Sequence, residues 1–252
     1  MGRLDDHHVL VTGGSRGIGA ATCILAAQKG WDVAVNYSAN AQAAEGVVQQ
    51  IKAAGGKAIS VQADVEHEDQ VLAMFQKIRT ELGPLQGLVN NAGVVDVSAR
   101  LDEMSMARWR RMFDINVLGS MLCAREAILQ MSTRHGGQGG SIVNLSSAAA
   151  RLGSPGQYLD YAAAKGAIDS FTLGLAKEVA GEGIRVNAIR PGLIDTEIHA
   201  SGGLPNRVKD LEHLVPAKRG GSALEVAQAI VWLLSDEASY TTMSLIDVSG
   251  GR

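Results

Sequence analysis

A doubly wound α/β fold, a parallel sheet with helices on both faces, is the architecture this 252-residue sequence predicts. Two observations predict it. Short apolar runs alternate with helical patterns from one end of the chain to the other. Several of the runs, such as Leu88-Val89 and Ile142-Val143, are apolar without alternation, as in strands buried on both faces. A third observation, the absence of any linker or break in composition, makes residues 1–252 one domain.

The strands are expected at 7–12, 32–37, 57–62, 87–91, 140–146, 184–190 and 244–248. Helical patterns fill 17–29, 40–54, 67–82, 106–134, 160–181 and 222–235. Sheets of this kind bind ligands beyond the C-terminal ends of their strands, so the segments after each strand are the ones to read for chemistry.

Composition narrows the classes. Hydrophobic residues make up 46% and charged residues 19%, which fits a globular protein with a substantial core. The formal charge is −3 and no Lys/Arg run exceeds two residues, so no nucleic-acid partner is expected. No apolar stretch is long enough to span a membrane. Met1 to His8 carries Asp5 and Asp6 and lacks the apolar core of a signal peptide. Cys23 and Cys123 sit far apart in apolar helical patterns and read as buried free thiols of a cytoplasmic protein. The six histidines show no metal-ligand spacing, and no metal is expected.

Thr12-Gly13-Gly14-Ser15-Arg16-Gly17-Ile18-Gly19 joins the first strand to a helix. A strand that turns on glycines into a helix N-terminus is an anion site, with free N–H groups and the positive end of the helix dipole facing a phosphate. Gly13, Gly17 and Gly19 permit the tight turn and a close pyrophosphate. After the second strand comes Asn36-Tyr37-Ser38, with no acid to accept from a ribose 2′-hydroxyl. Arg16 can instead pair with a 2′-phosphate, and Ser15, Asn36 and Ser38 can donate to it. Asp64-Val65 follows the third strand; Asp64 suits either an adenine amino group or a helix N-cap. Asn90-Asn91-Ala92-Gly93 closes the fourth strand with residues small enough to bring backbone close to a ligand.

Taken together, the glycine turn and Asn90-Asn91-Ala92-Gly93 resemble the single-domain branch of the short-chain dehydrogenase/reductase family, and the resemblance runs from about residue 7 to 251. Tyr161-Ala-Ala-Ala-Lys165 puts a phenol and an ammonium at i and i+4 on one helix face, where the cation is expected to lower the phenol pKa. The fifth strand runs into Ser146-Ser147. The family's serine usually lies 13 residues before the tyrosine, whereas Ser147 lies 14 before; a one-residue insertion in 148–160 selects Ser147, and Ser146 reads as a backbone-bonding hydroxyl. Asn116 matches the family's fourth catalytic residue, and the resemblance implies that it holds a water leading from Lys165 toward solvent. Pro191-Gly192 is similar to the family's turn beside the nicotinamide, which places Ile194 and Thr196 at the carboxamide. Met243 departs from the pattern, since a glycine commonly precedes the last strand.

The resemblance implies a Rossmann-type fold and a hydride transfer between nicotinamide and a carbonyl or secondary alcohol. Tyr161 is then the proton donor, Ser147 a hydrogen-bond donor to the same oxygen, and Tyr161 and Lys165 also contacts of the cofactor. Arg16 favours NADP(H) over NAD(H). Relatives similar to glucose dehydrogenases and to 3-oxoacyl reductases are not separated by sequence. An NAD-linked sugar or polyol dehydrogenase stays open, as does a non-catalytic nucleotide sensor. Specificity is expected from 94–104, 148–160 and a lid-like 196–219, with no cationic cluster that demands a phosphorylated substrate. A homotetramer is the family's habit, with contacts expected from the apolar faces of 106–134 and 160–181.

Overall fold

The computed structural model describes residues 7–198 and 202–252; residues 199–201 of the lid-like segment lie outside them. Seven strands form one sheet: β1 (His8–Val11), β2 (Asp32–Tyr37), β3 (Ala58–Gln62), β4 (Gly87–Asn90), β5 (Gly140–Leu145), β6 (Ile184–Pro191) and β9 (Leu245–Val248). Their order is β3-β2-β1-β4-β5-β6-β9, and every pairing is parallel. The order reverses between β1 and β4, which opens a crevice at their C-terminal ends. A two-residue pair, β7 (Ile194–Asp195) with β8 (Gly221–Ser222), forms a separate parallel ladder beyond β6.

Successive strand side chains point to opposite faces, and each face has its own core. Val9, Val11, Val33 and Val35 pack with α1 (Gly17–Gln28) and α2 (Ala41–Ala53). Leu10, Ala34, Leu88 and Ile142 face the other way, against α3 (Glu68–Glu81) and residues of the long helix pattern at 106–134. Cys23 and Cys123 are buried, one in each core, and burial pushes both thiols above their ordinary range. No helix among the described residues is long and apolar enough to cross a membrane.

The pattern at 106–134 is one rod in sequence and three pieces in structure. α4 (Met106–Phe113), capped by Ser105, passes through a π-turn at Asp114–Leu118 into α5 (Gly119–Met131). The π-turn carries Asn116 and swings the helix against the β3–α3 connection, where a Cβ on Gly119 would stand 2.6 Å from Val65 Cγ2. Between β5 and β6 run the short α6 (Ala149–Leu152) and α7 (Leu159–Val179). α8 (Arg207–Leu211) lies in the lid-like segment. α9 (Ala223–Leu234) opens with Ser222 and Glu225 capping each other's backbone.

Candidate active site

α1 begins without a side-chain cap and with no acid in its first turn, so its N-terminal N–H groups and dipole face outward into the crevice. Gly13 and Gly17 both take positive φ, +61° and +53°. Gly19 lines no cleft. A Cβ there would lie 2.3 Å from Gly13 O and 2.6 Å from Asn91 Nδ2, so glycine is required for the helix to close on the turn.

The turn is braced from below. Asn91 Nδ2 donates to Thr12 O at 2.8 Å and Gly13 O at 3.0 Å, and Thr12 Oγ1 accepts from Asn91 N and Ala92 N. Asn36, expected among the donors to a phosphate, is engaged elsewhere. It is buried, accepts from Gly13 N at 3.1 Å, and donates to Ala63 O at 3.0 Å and Val61 O at 3.3 Å. A buried amide with both ends satisfied has no donor left, so Asn36 holds the turn in shape.

Above this base lies a cleft. Ser15, Arg16, Gly17 and Ile18 form one side, Tyr37 and Ser38 the end of β2, and Asp64 and Val65 the far wall. Asn91, Ala92 and Gly93 complete its floor, and Arg111 and Ile115 join from α4 and the π-turn. Arg111 was not legible in sequence because it reads as one more solvent-facing cation of α4. Asp64 does not cap α3, whose first residue follows His67; its Oδ1 accepts from Glu66 N at 3.3 Å. Asp64, Glu66 and His67 bring possible ligand atoms within 4.8 Å of one another, on a largely open surface.

Gly93 opens a second pocket. A Cβ there would stand 2.7 Å from Asn116 Oδ1 and 3.6 Å from Lys165 Nζ. Asn116 is fully buried and its amide is satisfied by protein: Nδ2 donates to Val94 O at 3.1 Å and Met112 O at 3.0 Å, while Oδ1 accepts from Val94 N at 3.3 Å. The side chain therefore clamps the backbone after β4.

Ser147, Tyr161 and Lys165 meet in this pocket. The Ser147 hydroxyl is in hydrogen-bond contact with the Tyr161 phenol, and its rotamer is fixed by Ala149 N at 3.1 Å. Ser146 turns away and donates to Lys165 O at 3.2 Å. Lys165 Nζ donates to Leu145 O at 2.7 Å and lies 5.5 Å from the centre of the Tyr161 ring. Burial pushes the phenol up to about 12, with the Ser147 bond pulling the other way. Burial also brings Lys165 down to about 8, opposed by the nearby Asp169 carboxylate. The expected lowering of the Tyr161 pKa by Lys165 is not seen, because desolvation dominates for a phenol this enclosed. Asp169 is itself paired: Arg190 Nε and Nη2 both donate to its Oδ2, at 3.1 and 2.7 Å, and its Oδ1 is buried with no partner.

Pro191, Gly192, Ile194 and Thr196 form the wall opposite, after β6. Gly192 is pressed on Ser249, whose Cα would lie 2.6 Å from a Cβ at that position. Ile18, Asn91, Gly93, Thr196 and Ile198 line both clefts, which therefore form one continuous crevice. Of the segments expected to set specificity, 96–104 contributes nothing to the lining, while Leu193 and Arg252, outside those segments, do. Arg207 lines it as well, in a pocket for which the sequence indicated no cationic cluster.

The whole arrangement has relatives. A family model described as "Enoyl-(Acyl carrier protein) reductase" matches residues 13–252. The Uncharacterized oxidoreductase YgfF of Escherichia coli is 56% identical over 243 residues, covering 96% of this chain and 98% of that one. The 3-oxoacyl-[acyl-carrier-protein] reductase FabG of Staphylococcus aureus is 37% identical, covering 96% of each chain. A solved Serratia marcescens short-chain dehydrogenase/reductase, bearing two Phe-to-Tyr substitutions, superposes with a TM-score of 0.90 at 30% identity and 99% coverage of both chains. Likeness in sheet order and in sequence over nearly the full length makes this chain a member of the short-chain dehydrogenase/reductase family, an oxidoreductase of a family that binds nicotinamide cofactors.

Proposed function

We propose that this protein is an NADP(H)-dependent reductase of small carbonyl compounds, able to run in reverse on secondary alcohols, with Tyr161 as acid/base. The observation that carries this reading is the meeting of Ser147, Tyr161 and Lys165 in a pocket continuous with the cleft over the uncapped α1 N-terminus. Relatives named as oxidoreductases and 3-oxoacyl reductases support it.

The residues fit a dinucleotide. A Cβ is excluded at Gly19, the helix end is free of acids, and Arg16, Ser15 and Ser38 surround the end of β2 without a carboxylate of that strand. Arg16 and Arg111 would hold a 2′-phosphate, Asp64 and Val65 the adenine, and Ile194 and Thr196 the carboxamide. When bound, the nicotinamide supplies the hydride.

The chain's own residues handle the oxygen. With its pKa held near 12, Tyr161 stays protonated at neutral pH and is a proton donor to the forming alkoxide. Ser147 donates a hydrogen bond to the same oxygen and shares its developing charge. Lys165, anchored on Leu145 O, sets a positive charge beneath the phenol ring and stabilises the phenolate left after proton transfer. Asn116 acts as a positioning residue that fixes the backbone at Val94 and packs against Gly93.

Initial rates of NADPH and NADH oxidation over diketones, quinones, keto esters, sugar lactones and 3-oxoacyl thioesters test the reading. Turnover with NADPH should vanish in Tyr161→Phe while NADPH binding persists. Retention of most activity in that variant would sink the assignment. Arg16→Ala should weaken NADPH about tenfold, as expected for loss of a charge-assisted contact, and leave NADH nearly unchanged; the opposite pattern favours an NAD-linked sugar or polyol dehydrogenase.

A further inference from the structure

Resting on the reading above, we infer that the carbonyl substrate carries an oxyanion, a carboxylate or a phosphate, which the Arg207 guanidinium receives in the pocket that also holds Tyr161. The lining of that pocket is aliphatic over much of its wall, at Val95, Leu152, Leu193 and Ile198. The cationic residues Lys165, Arg207 and Arg252 also line it, and no Asp or Glu does among the described residues.

Arg207 is held in place without being neutralised. Its guanidinium stacks over the Tyr158 ring, 5.2 Å from the centre, and Nη2 donates to Gln157 Oε1 at 2.8 Å. Tyr158 is buried in turn, with its hydroxyl donating to Gly202 O at 3.4 Å. Among the described residues both partners of Arg207 are uncharged, and one donor of five is in use. Seven other arginines of the chain pair with carboxylates: Arg100, Arg108, Arg125, Arg134, Arg151, Arg190 and Arg219. Arg207, like Arg16, Arg79, Arg110, Arg111 and Arg185, has no carboxylate partner in a salt bridge among the described residues. A guanidinium oriented by neutral groups against an apolar wall is a fork preset for a planar or tetrahedral oxyanion. An anion placed there is also selected against neutral analogues, because the charge would otherwise stay uncompensated.

The test uses the full chain with NADPH and matched probes: 4-oxopentanoate against its methyl ester, and dihydroxyacetone phosphate against dihydroxyacetone. At least one anion should exceed its neutral match tenfold in kcat/KM, mainly through KM, and the advantage should shrink as salt rises. Arg207→Met should cut the anion-to-neutral ratio at least tenfold, Arg207→Lys should restore part of it, and Arg100→Met, on the exposed surface, should leave it unchanged. The two arms tell a carboxylate from a phosphate. Equal use of anion and neutral in both pairs, or a ratio that survives Arg207→Met, overturns the inference. Reduction of 2,3-butanedione that disappears in Tyr161→Phe reports separately on the catalytic reading. If no carbonyl is reduced at all, calorimetric binding of valerate against pentanamide, with NADP present, still decides this inference: valerate must bind more tightly, and lose that advantage in Arg207→Met.

Discussion

Lys165 Nζ donates to the main-chain oxygen of Leu145 at 2.7 Å, which ties the middle of α7 to the last residue of β5. Ser146 Oγ returns a bond from the next residue to Lys165 O at 3.2 Å. Two reciprocal bonds thus fix the spacing between the strand end that carries Ser147 and the helix that carries Tyr161.

A titration follows from this enclosure. Lys165 sits near pH 8 in the folded protein and near 10.5 as an ordinary lysine. Between those values the unfolded chain holds the extra proton, so this group's contribution to stability rises with pH; below about 8 the burial penalty is fully present. In the reductive direction kcat/KM should fall above about pH 8, as the ammonium beneath Tyr161 is lost. Asp169→Asn removes an attraction that raises the Lys165 pKa and leaves Arg190 without its carboxylate, so the fall should move to lower pH. A pH–rate profile with an unmoved midpoint would refute the coupling.

Gly19→Ala should damage cofactor binding without touching a ligand. Its Cβ would meet Gly13 O at 2.3 Å, a backbone atom with little freedom to retreat. Overpacking of this kind costs about 1–3 kcal/mol. Fluorescence titration should show NADPH affinity reduced at least tenfold, alongside a lower Tm.

Asn36→Ala should destabilise the protein by about 2 kcal/mol, the cost of leaving buried backbone groups unpaired. It strips the Gly13 N–H of its acceptor and Ala63 O of a donor. Urea unfolding measures the loss. A variant as stable as the parent, but weak for NADPH alone, would return Asn36 to direct phosphate binding.

Met243→Gly should stabilise. Met243 holds φ at +61°, and its N–H donates to Val186 O at 2.7 Å, which pins the conformation before β9. A left-handed residue with a Cβ costs roughly 1–2 kcal/mol, of which glycine's extra entropy takes back part. The net expectation is a gain of up to about 1 kcal/mol and a Tm higher by a few degrees, read by calorimetry.

The sheet and its helices are legible in the sequence because burial on two faces leaves unbroken apolar runs, as at Leu88-Val89, and because glycines mark the strand ends. The same logic locates most of the crevice, since strand ends are where this topology leaves space. What escapes is whatever depends on three-dimensional convergence. Asn36 has the side chain of a phosphate donor, and only the fold shows its amide already spent. The π-turn at Asp114–Leu118 adds one residue to a turn, too little to disturb the apolar spacing of 106–134. Arg207 is far from Tyr161 along the chain, and no local pattern predicts that the two line one pocket. Met243 could be read as an anomaly, and its backbone shows why glycine is the usual occupant there.

On the proposed function, the five residues common to both clefts, Ile18, Asn91, Gly93, Thr196 and Ile198, put the dinucleotide and the carbonyl compound against one another. Any factor by which the dinucleotide strengthens the grip on a carbonyl compound must be returned in full when the carbonyl compound arrives first, because coupling between two ligands is reciprocal. If that coupling is positive, a substrate of the right shape would also be a retainer of its reductant. A poor one lets the dinucleotide go sooner, so discrimination extends to how long the assembled ternary complex survives.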